Sequence, residues 1–290
     1  MTGASAAEPL FTLSNVDSLR FPILIGVPHA GRVYPTQLLD NLNVSPSHLL
    51  RLEDRYVDRL AALAMATGVP AIIARKPRAW VDLNRSRKEI DPDMIVGMDP
   101  EQVPHISQKV RGGLGLLPRR LHGAGNLWRE KWQHRHIVDR IEQDHEPYHQ
   151  KVDAILERIR ATFGCALLLD LHSMPPVFDD NRRKIGFVIG DRFGRSCESR
   201  YAELAAVHFR TAGFHVQTNH PYPGGYILER HGKPERNIHA FQLEVDRSLY
   251  LDKDMREPVA AAENIARLIR DCCITLSEQM SGGHQSEAAE

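Results

Sequence analysis

Short apolar runs that break off on a histidine or a carboxylate recur along this chain, separated by stretches whose apolar residues return every three or four positions. Phe21 to Val27 (FPILIGV) is a continuous β-prone run stopped by Pro28, which predicts a buried strand. Ser45-Pro46-Ser47 offers a helix start, and Leu49 to Met65 keeps helical spacing until Gly68-Val69-Pro70 stops it. Ala71 to Ala74 predicts a second strand and Trp80 to Leu83 a third. Residues 86 to 135 hold no period, because Asp91-Pro92-Asp93, Asp99-Pro100, Gly112-Gly113 and Gly123-Ala124-Gly125 interrupt it. A long surface excursion is expected there, and such loops often serve as lids.

Beyond it, Ile137 to Phe163 is an amphipathic helix whose one weak point is near Pro147, and Cys165 to Leu171 is the clearest central strand. Strands at Ile185 to Ile189, Phe214 to Thr218 and Phe241 to Val245 follow, with helices at Ser199 to Ala212 and Pro258 to Met280. Asn219 to Asn237 reads as an ordered loop. The alternation predicts an α/β fold, a mixed, mostly parallel sheet covered by helices on both faces. One domain over 13–280 is expected, with 1–12 and 281–290 as flexible tails.

Composition narrows this little. Lys+Arg and Asp+Glu each total 37 in 290 residues, so charge gives no reason to expect nucleic acid or a membrane surface as partner. Selectivity for an anion must then come from local arginines. Cys165, Cys197, Cys272 and Cys273 contain no CxxC spacing, so neither a disulfide framework nor a cysteine zinc site is implied, and a reducing cytoplasm is expected. No phosphate-cradling glycine motif and no GxSxG elbow occur.

The chemistry lies where apolar runs end. His29 follows the first strand; Glu53 and Asp54 are adjacent acids, of which Asp54 falls beside the apolar stripe of Val57 and Leu60. Asp170 and His172 are two apart on one strand and therefore share a face with Leu168, opposite Leu167, Leu169 and Leu171. An Asp beside a His suits the hydrogen bond that fixes a ligand's tautomer, or a buried pair without metal. Gln242 and Glu244 share a face of the last strand, where Glu244 is a candidate proton carrier, or the partner of Arg247 in a salt bridge. Asn84 with Arg85, and Arg230 with His231 after Gly224-Gly225, are candidates for holding a carboxylate. Two histidines, a carboxylate ligand and a further carboxylate form the parts list of a hydrolytic zinc centre.

Together these segments resemble the N-formylglutamate amidohydrolase family, which is similar in general architecture to zinc carboxypeptidase and phosphorylase/hydrolase-like enzymes. The matching stretches are VPHAGRVYP (27–35), LEDRYVDRL (52–60), WVDLNR (80–85), LLDLHSMPP (168–176), NHPYPGGYILERHG (219–232) and FQLEVDRSLY (241–250). The resemblance implies one Zn2+ held by His29, Asp54 and His172, with Glu53 the substitute for Asp54, and Glu244 as general base and acid. It implies Asn84, Arg85, Gly225, Arg230 and His231 at the substrate, with Asp170 and Gln242 behind the first ring of groups. The implied reaction is hydrolysis of N-formyl-L-glutamate to formate and L-glutamate. Residues 86–135 match none of the family's motifs. The alternatives are a related zinc deacylase or carboxypeptidase-like hydrolase of another acidic amide, and a metal-free binding protein for an acidic metabolite.

Overall fold

In the computed structural model, residues 10–97 and 106–287 are described. Their centre is a seven-stranded sheet: β1 (Phe11–Ser14), β2 (Ile23–Val27), β3 (Ala71–Ala74), β4 (Ala166–Met174), β5 (Phe187–Gly190), β6 (Val216–Thr218) and β7 (Ile238–Asp246). The order across the sheet is β1-β3-β2-β4-β7-β5-β6. Pairs β3–β2, β2–β4, β4–β7 and β5–β6 are parallel, while β1–β3 and β5–β7 are antiparallel. The fold is thus α/β with a mixed, mostly parallel sheet. From β2 the chain moves outward to β3 and returns to β4 on the other side, so the carboxyl ends of β2 and β4 flank a topological switch, where clefts in such sheets open.

The two faces are buried by different parts of the chain. Leu167, Leu169 and Leu171, with Ile23, Ile25, Phe241 and Leu243, pack beneath α1 (Val57–Leu60), α2 (Ala62–Ala66), α4 (Ser199–Thr211) and α6 (Ala261–Glu287). Ala166, Leu168, Ile238 and Ala240 face α3 (Glu146–Phe163), whose Tyr148, Val152, Ile155, Leu156 and Ile159 recur at helical spacing. Leu169 is fully buried on the first face, so Leu169→Ala is expected to cost about 2–5 kcal/mol. A lower denaturant midpoint would confirm that this face supports the fold.

Several sequence expectations are corrected. The excursion is not a surface loop: Leu116, Leu117, Leu127, Trp128 and Trp132 are buried and complete the second core. Of the breaks that define it, Asp99-Pro100 lies outside the described residues. Trp80 to Leu83 is not a strand; Trp80 N–H closes a turn on Pro77, and the segment is buried by the excursion, with Asp82 N–H bonded to the Leu116 carbonyl at 2.8 Å. The helix expected over Leu49 to Met65 is broken between a 3-10 turn ending at Arg51 and α1, and Tyr56 there has φ 58°. Asn219 to Asn237 contains α5 (Tyr226–His231) and a further 3-10 turn, Pro234–Arg236. Phe11 and Thr12, placed in a loose tail from composition, pair with Ala74 and Ile73 as an edge strand. The helix expected over Ile137 to Phe163 is split into His134–Arg140 and α3 by a π-turn at Ile141–His145, just before Pro147.

Candidate metal and hydrolytic site

Alternation along β4 and β7 delivers the polar residues. On the α3 side, β4 presents Ala166, Leu168, Asp170 and His172 in turn, and β7 presents Ile238, Ala240, Gln242 and Glu244. The face is apolar deep in the sheet and polar at its carboxyl edge. Register sets Gln242 opposite Asp170 and Glu244 opposite His172. His29 comes off the end of β2, and the break before α1 turns Asp54 inward, its N–H bonded to the His29 carbonyl at 3.0 Å.

His29, Asp54 and His172 are all buried, and one donor atom from each lies within 4.8 Å of the other two. The histidine Nε2 atoms both face carboxylates, Asp82 Oδ1 at 2.8 Å from His29 and Asp170 Oδ2 at 2.9 Å from His172. Each Nε2 therefore carries a proton, and each ring turns its Nδ1 towards Asp54 Oδ2, at 3.4 Å from His29 and 2.9 Å from His172. His29 Nδ1 is buried without a hydrogen bond. Three lone pairs converging in a buried pocket repel one another unless a cation or a proton sits among them. The donor set, two imidazoles and a carboxylate with carboxylates behind the imidazoles, fits a divalent cation of the zinc type.

Without a cation, a proton takes part of that role. Burial would lower His172, but the charges and hydrogen bonds of Asp170 and Asp54 hold it well above the usual imidazole range. Burial would raise Asp54, yet the hydrogen bond from His172 and the proximity of His29 keep it well below the usual carboxylate range. Even that ion pair leaves His29 Nδ1 unpartnered. Arg247 braces Asp54, bonding Oδ1 at 3.1 Å, Ser173 Oγ at 3.0 Å and the Glu53 carbonyl at 2.7 Å. It is therefore hydrogen-bonded to Asp54 and not to Glu244. Glu53 turns away, buried between the Tyr34 hydroxyl and Arg55 Nη1, so the structure distinguishes the two adjacent acids that spacing left open.

These groups stand at one wall of a cavity of about 810 Å³ also lined by Arg78, Asn84, Arg85, Lys109, Tyr222, Gly225, Gln242, Glu244 and Arg247. Glu244 accepts Gln242 Nε2 at 3.0 Å on Oε1, and burial, reinforced by Asp54 and opposed by His172, Arg247 and Arg78, pushes it up to about 7. Asn84 Oδ1 accepts the Ile227 N–H at 3.0 Å, which draws α5 so close that a Cβ on Gly225 would lie 2.3 Å from it. Arg85 spends Nε on the Leu114 carbonyl and Nη1 on that of Asn84. Arg230 and His231 lie apart from the cavity lining: Arg230 pairs with Glu146, and His231 with Asp153.

Two groups escaped the sequence reading. Asp82 holds His29 through one oxygen and Arg78 Nε through the other at 2.8 Å, and Arg78 lines the cavity. Burial would raise Asp82, but Arg78, Arg85 and His29 keep it well below the usual carboxylate range. The available signal was the Asp82-x-Asn84-Arg85 cluster itself, whose acid had no assigned partner. Asp82→Asn and Asp170→Asn are each expected to weaken metal binding about 10–100-fold, read by competition with a metal indicator. Unchanged affinity in both would detach these carboxylates from the metal.

Comparison with known proteins finds relatives over most of the chain. The sequence profile of the N-formylglutamate amidohydrolase family matches residues 21–251. An N-formylglutamate deformylase of Pseudomonas aeruginosa is 29% identical over 270 residues, covering 90% of this chain and 93% of that protein. The N-formylglutamate deformylase of Pseudomonas putida is 30% identical over 257 residues, covering 86% of this chain and 88% of the relative. The crystal structure of an N-formylglutamate amidohydrolase from Ralstonia eutropha superposes with a TM-score of 0.86 at 28% identity, over 94% of this chain and 99% of that one.

Proposed function

The chain belongs to the N-formylglutamate amidohydrolase family, and from that membership we propose that it hydrolyses N-formyl-L-glutamate to formate and L-glutamate with one Zn2+ held by His29, Asp54 and His172. The observation that supports this best is the convergence of those three buried donor atoms beside Glu244, with the His29 Nδ1 lone pair otherwise unsatisfied. When bound, the ion supplies a Lewis acid that polarises the amide carbonyl and acidifies water.

The chain's own residues do the rest. Glu244 takes the proton of the attacking water on its carboxylate and passes it to the departing amide nitrogen, so the elements of water add across the C–N bond as it breaks. A carboxylate raised by burial suits both halves of that transfer. Asp54 is kept ionised by its histidines and oriented by Arg247. Arg78 gives only Nε to Asp82, leaving its Nη groups for a substrate carboxylate, with Arg85 and Asn84 beside it. Lys109 adds a further cation, and the residues lining the cavity include more basic side chains than acids. A dicarboxylic substrate fits that balance.

Formate release from N-formylglutamate, measured alongside bound metal on protein purified without chelator, tests the proposal. Zinc near one equivalent with formate appearing on turnover supports it. Release of another acid from an N-acyl panel would move the substrate to a different acidic amide. Ligand binding without metal or turnover would leave a binding protein.

A further inference from the structure

Outside the metal pocket, three histidines are buried side by side beneath the Leu83–Arg85 segment. His145, His149 and His231 are 0%, 0% and 1% exposed. The π-turn at Ile141–His145 and the first turn of α3 present His145 and His149 to that segment, and α5 brings His231. His145 Nε2 bonds the Arg85 carbonyl at 2.8 Å, and His149 Nε2 the Leu83 carbonyl at 3.0 Å. Behind His149, its Nδ1 meets His231 Nε2 at 2.9 Å, and His231 Nδ1 meets Asp153 Oδ1 at 2.8 Å.

Counting protons along this chain fixes its charge. A carbonyl and a carboxylate only accept, so His149 Nε2 and His231 Nδ1 must both donate. The two remaining nitrogens face each other at 2.9 Å. With no proton between them, two lone pairs would collide; with one, a hydrogen bond forms. Three protons on two imidazoles make one imidazolium, balanced by the Asp153 carboxylate. Burial works against it, pulling both His149 and His231 below the usual range. The other charges facing the pair are Arg230 and Lys233, both within 4 Å of Asp153, with Glu146 neutralising Arg230.

We infer that Asp153, His231 and His149 form a buried brace, holding one shared proton, that positions the Leu83–Arg85 segment and hence the carboxylate-binding Asn84 and Arg85. The inference builds on the proposed substrate, and it takes Arg230 and His231 out of direct contact with that substrate. The brace reaches that segment through the Leu83 carbonyl, with no contact to the cavity, so its members are positioning residues.

Nitrogen-15 NMR of the imidazoles near neutral pH is expected to show three protonated nitrogens shared by His149 and His231, falling to two in Asp153→Asn. Two protons in the native protein would overturn the shared-proton brace. His149→Ala is expected to raise KM for N-formylglutamate about tenfold with kcat within about threefold and metal unchanged, because misplacement of a positioning group costs binding geometry rather than chemistry. His149→Gln, which keeps an N–H for the Leu83 carbonyl, should recover most of the KM. Equal loss in both variants, or none in His149→Ala, would refute the positioning role. Asp153→Asn, altered at a half-exposed carboxylate, gives the same kinetic comparison if His149→Ala does not fold. Absence of formate release by the native enzyme would instead reject the assigned substrate, and the proton count then decides the brace alone.

Discussion

Replacing Glu244 with Gln is expected to leave metal binding intact and to lower kcat by about 10²–10⁴-fold, the range contributed by a positioned acid–base group. The substitution is nearly isosteric, and Glu244 is not among the three groups whose donor atoms converge. Its neighbour Gln242 already donates to Oε1, so an amide at 244 can turn its own carbonyl to that donor and keep the packing. What disappears is the ability to accept a proton and return it. The pH profile gives a second reading of the same group. An elevated base pKa means that activity falls as pH drops through it, since the protonated form cannot accept. Burial sets Glu244 at about 7, against an ordinary 4.5, and a bound divalent cation would draw it downward. The acid limb of kcat/KM should therefore lie between those values in the native enzyme. Near-native turnover in Glu244→Gln would assign the proton to another group.

His172→Ala is expected to release the metal and abolish formate production together. The loss removes one of three candidate donors and also takes a contact from two carboxylates. Asp170, fully buried, would lose its hydrogen bond from Nε2, and Asp54 would lose its contact to Nδ1. Asp54 keeps Arg247 and Ser173, but leaving the buried Asp170 without a partner costs about 1–3 kcal/mol or more, so a lower thermal midpoint should accompany the metal loss. Elemental analysis after gel filtration, with calorimetry on the same sample, separates the two effects. Full metal occupancy in His172→Ala would remove this residue from the coordination set. A native protein stripped by chelator and restored by zinc provides the matching control, and binding should weaken as pH falls, because protons compete for the same lone pairs.

Much of this architecture was legible in one dimension. The runs at Phe21 to Val27 and Cys165 to Leu171 are apolar on both faces, and only a central parallel strand consumes such a pattern. The two-residue period placed Asp170 with His172 and Gln242 with Glu244 before any coordinates, because alternation in a strand is a property of the backbone itself. What failed has a common cause. Trp80 to Leu83 resembles a strand because it is apolar, but its burial comes from the excursion and not from a neighbouring strand. The excursion looked like surface because its glycines and prolines hide the period of Leu116, Leu117, Leu127, Trp128 and Trp132, which pack without forming long elements. The helical spacing around Asp54 is real on either side of it, yet the chain leaves the helix there and Tyr56 takes a left-handed conformation, so Asp54 can face His29 and His172.

The order of residues by itself determined the central strands, which face of each carries acid and imidazole, and that the polar groups gather at the carboxyl edge, since these follow from local periodicity. Only the tertiary structure decided that Asp54 and not Glu53 meets the histidines, that Asp82 stands behind His29, and that His231 packs against His149 and Asp153 instead of lining the cavity. Those outcomes depend on contacts between residues far apart in the chain, such as His29 with Asp82, 53 positions on, and Asp54 with His172, 118 positions on. No local preference encodes them; they exist because the sheet order brings β2, β4 and β7 side by side.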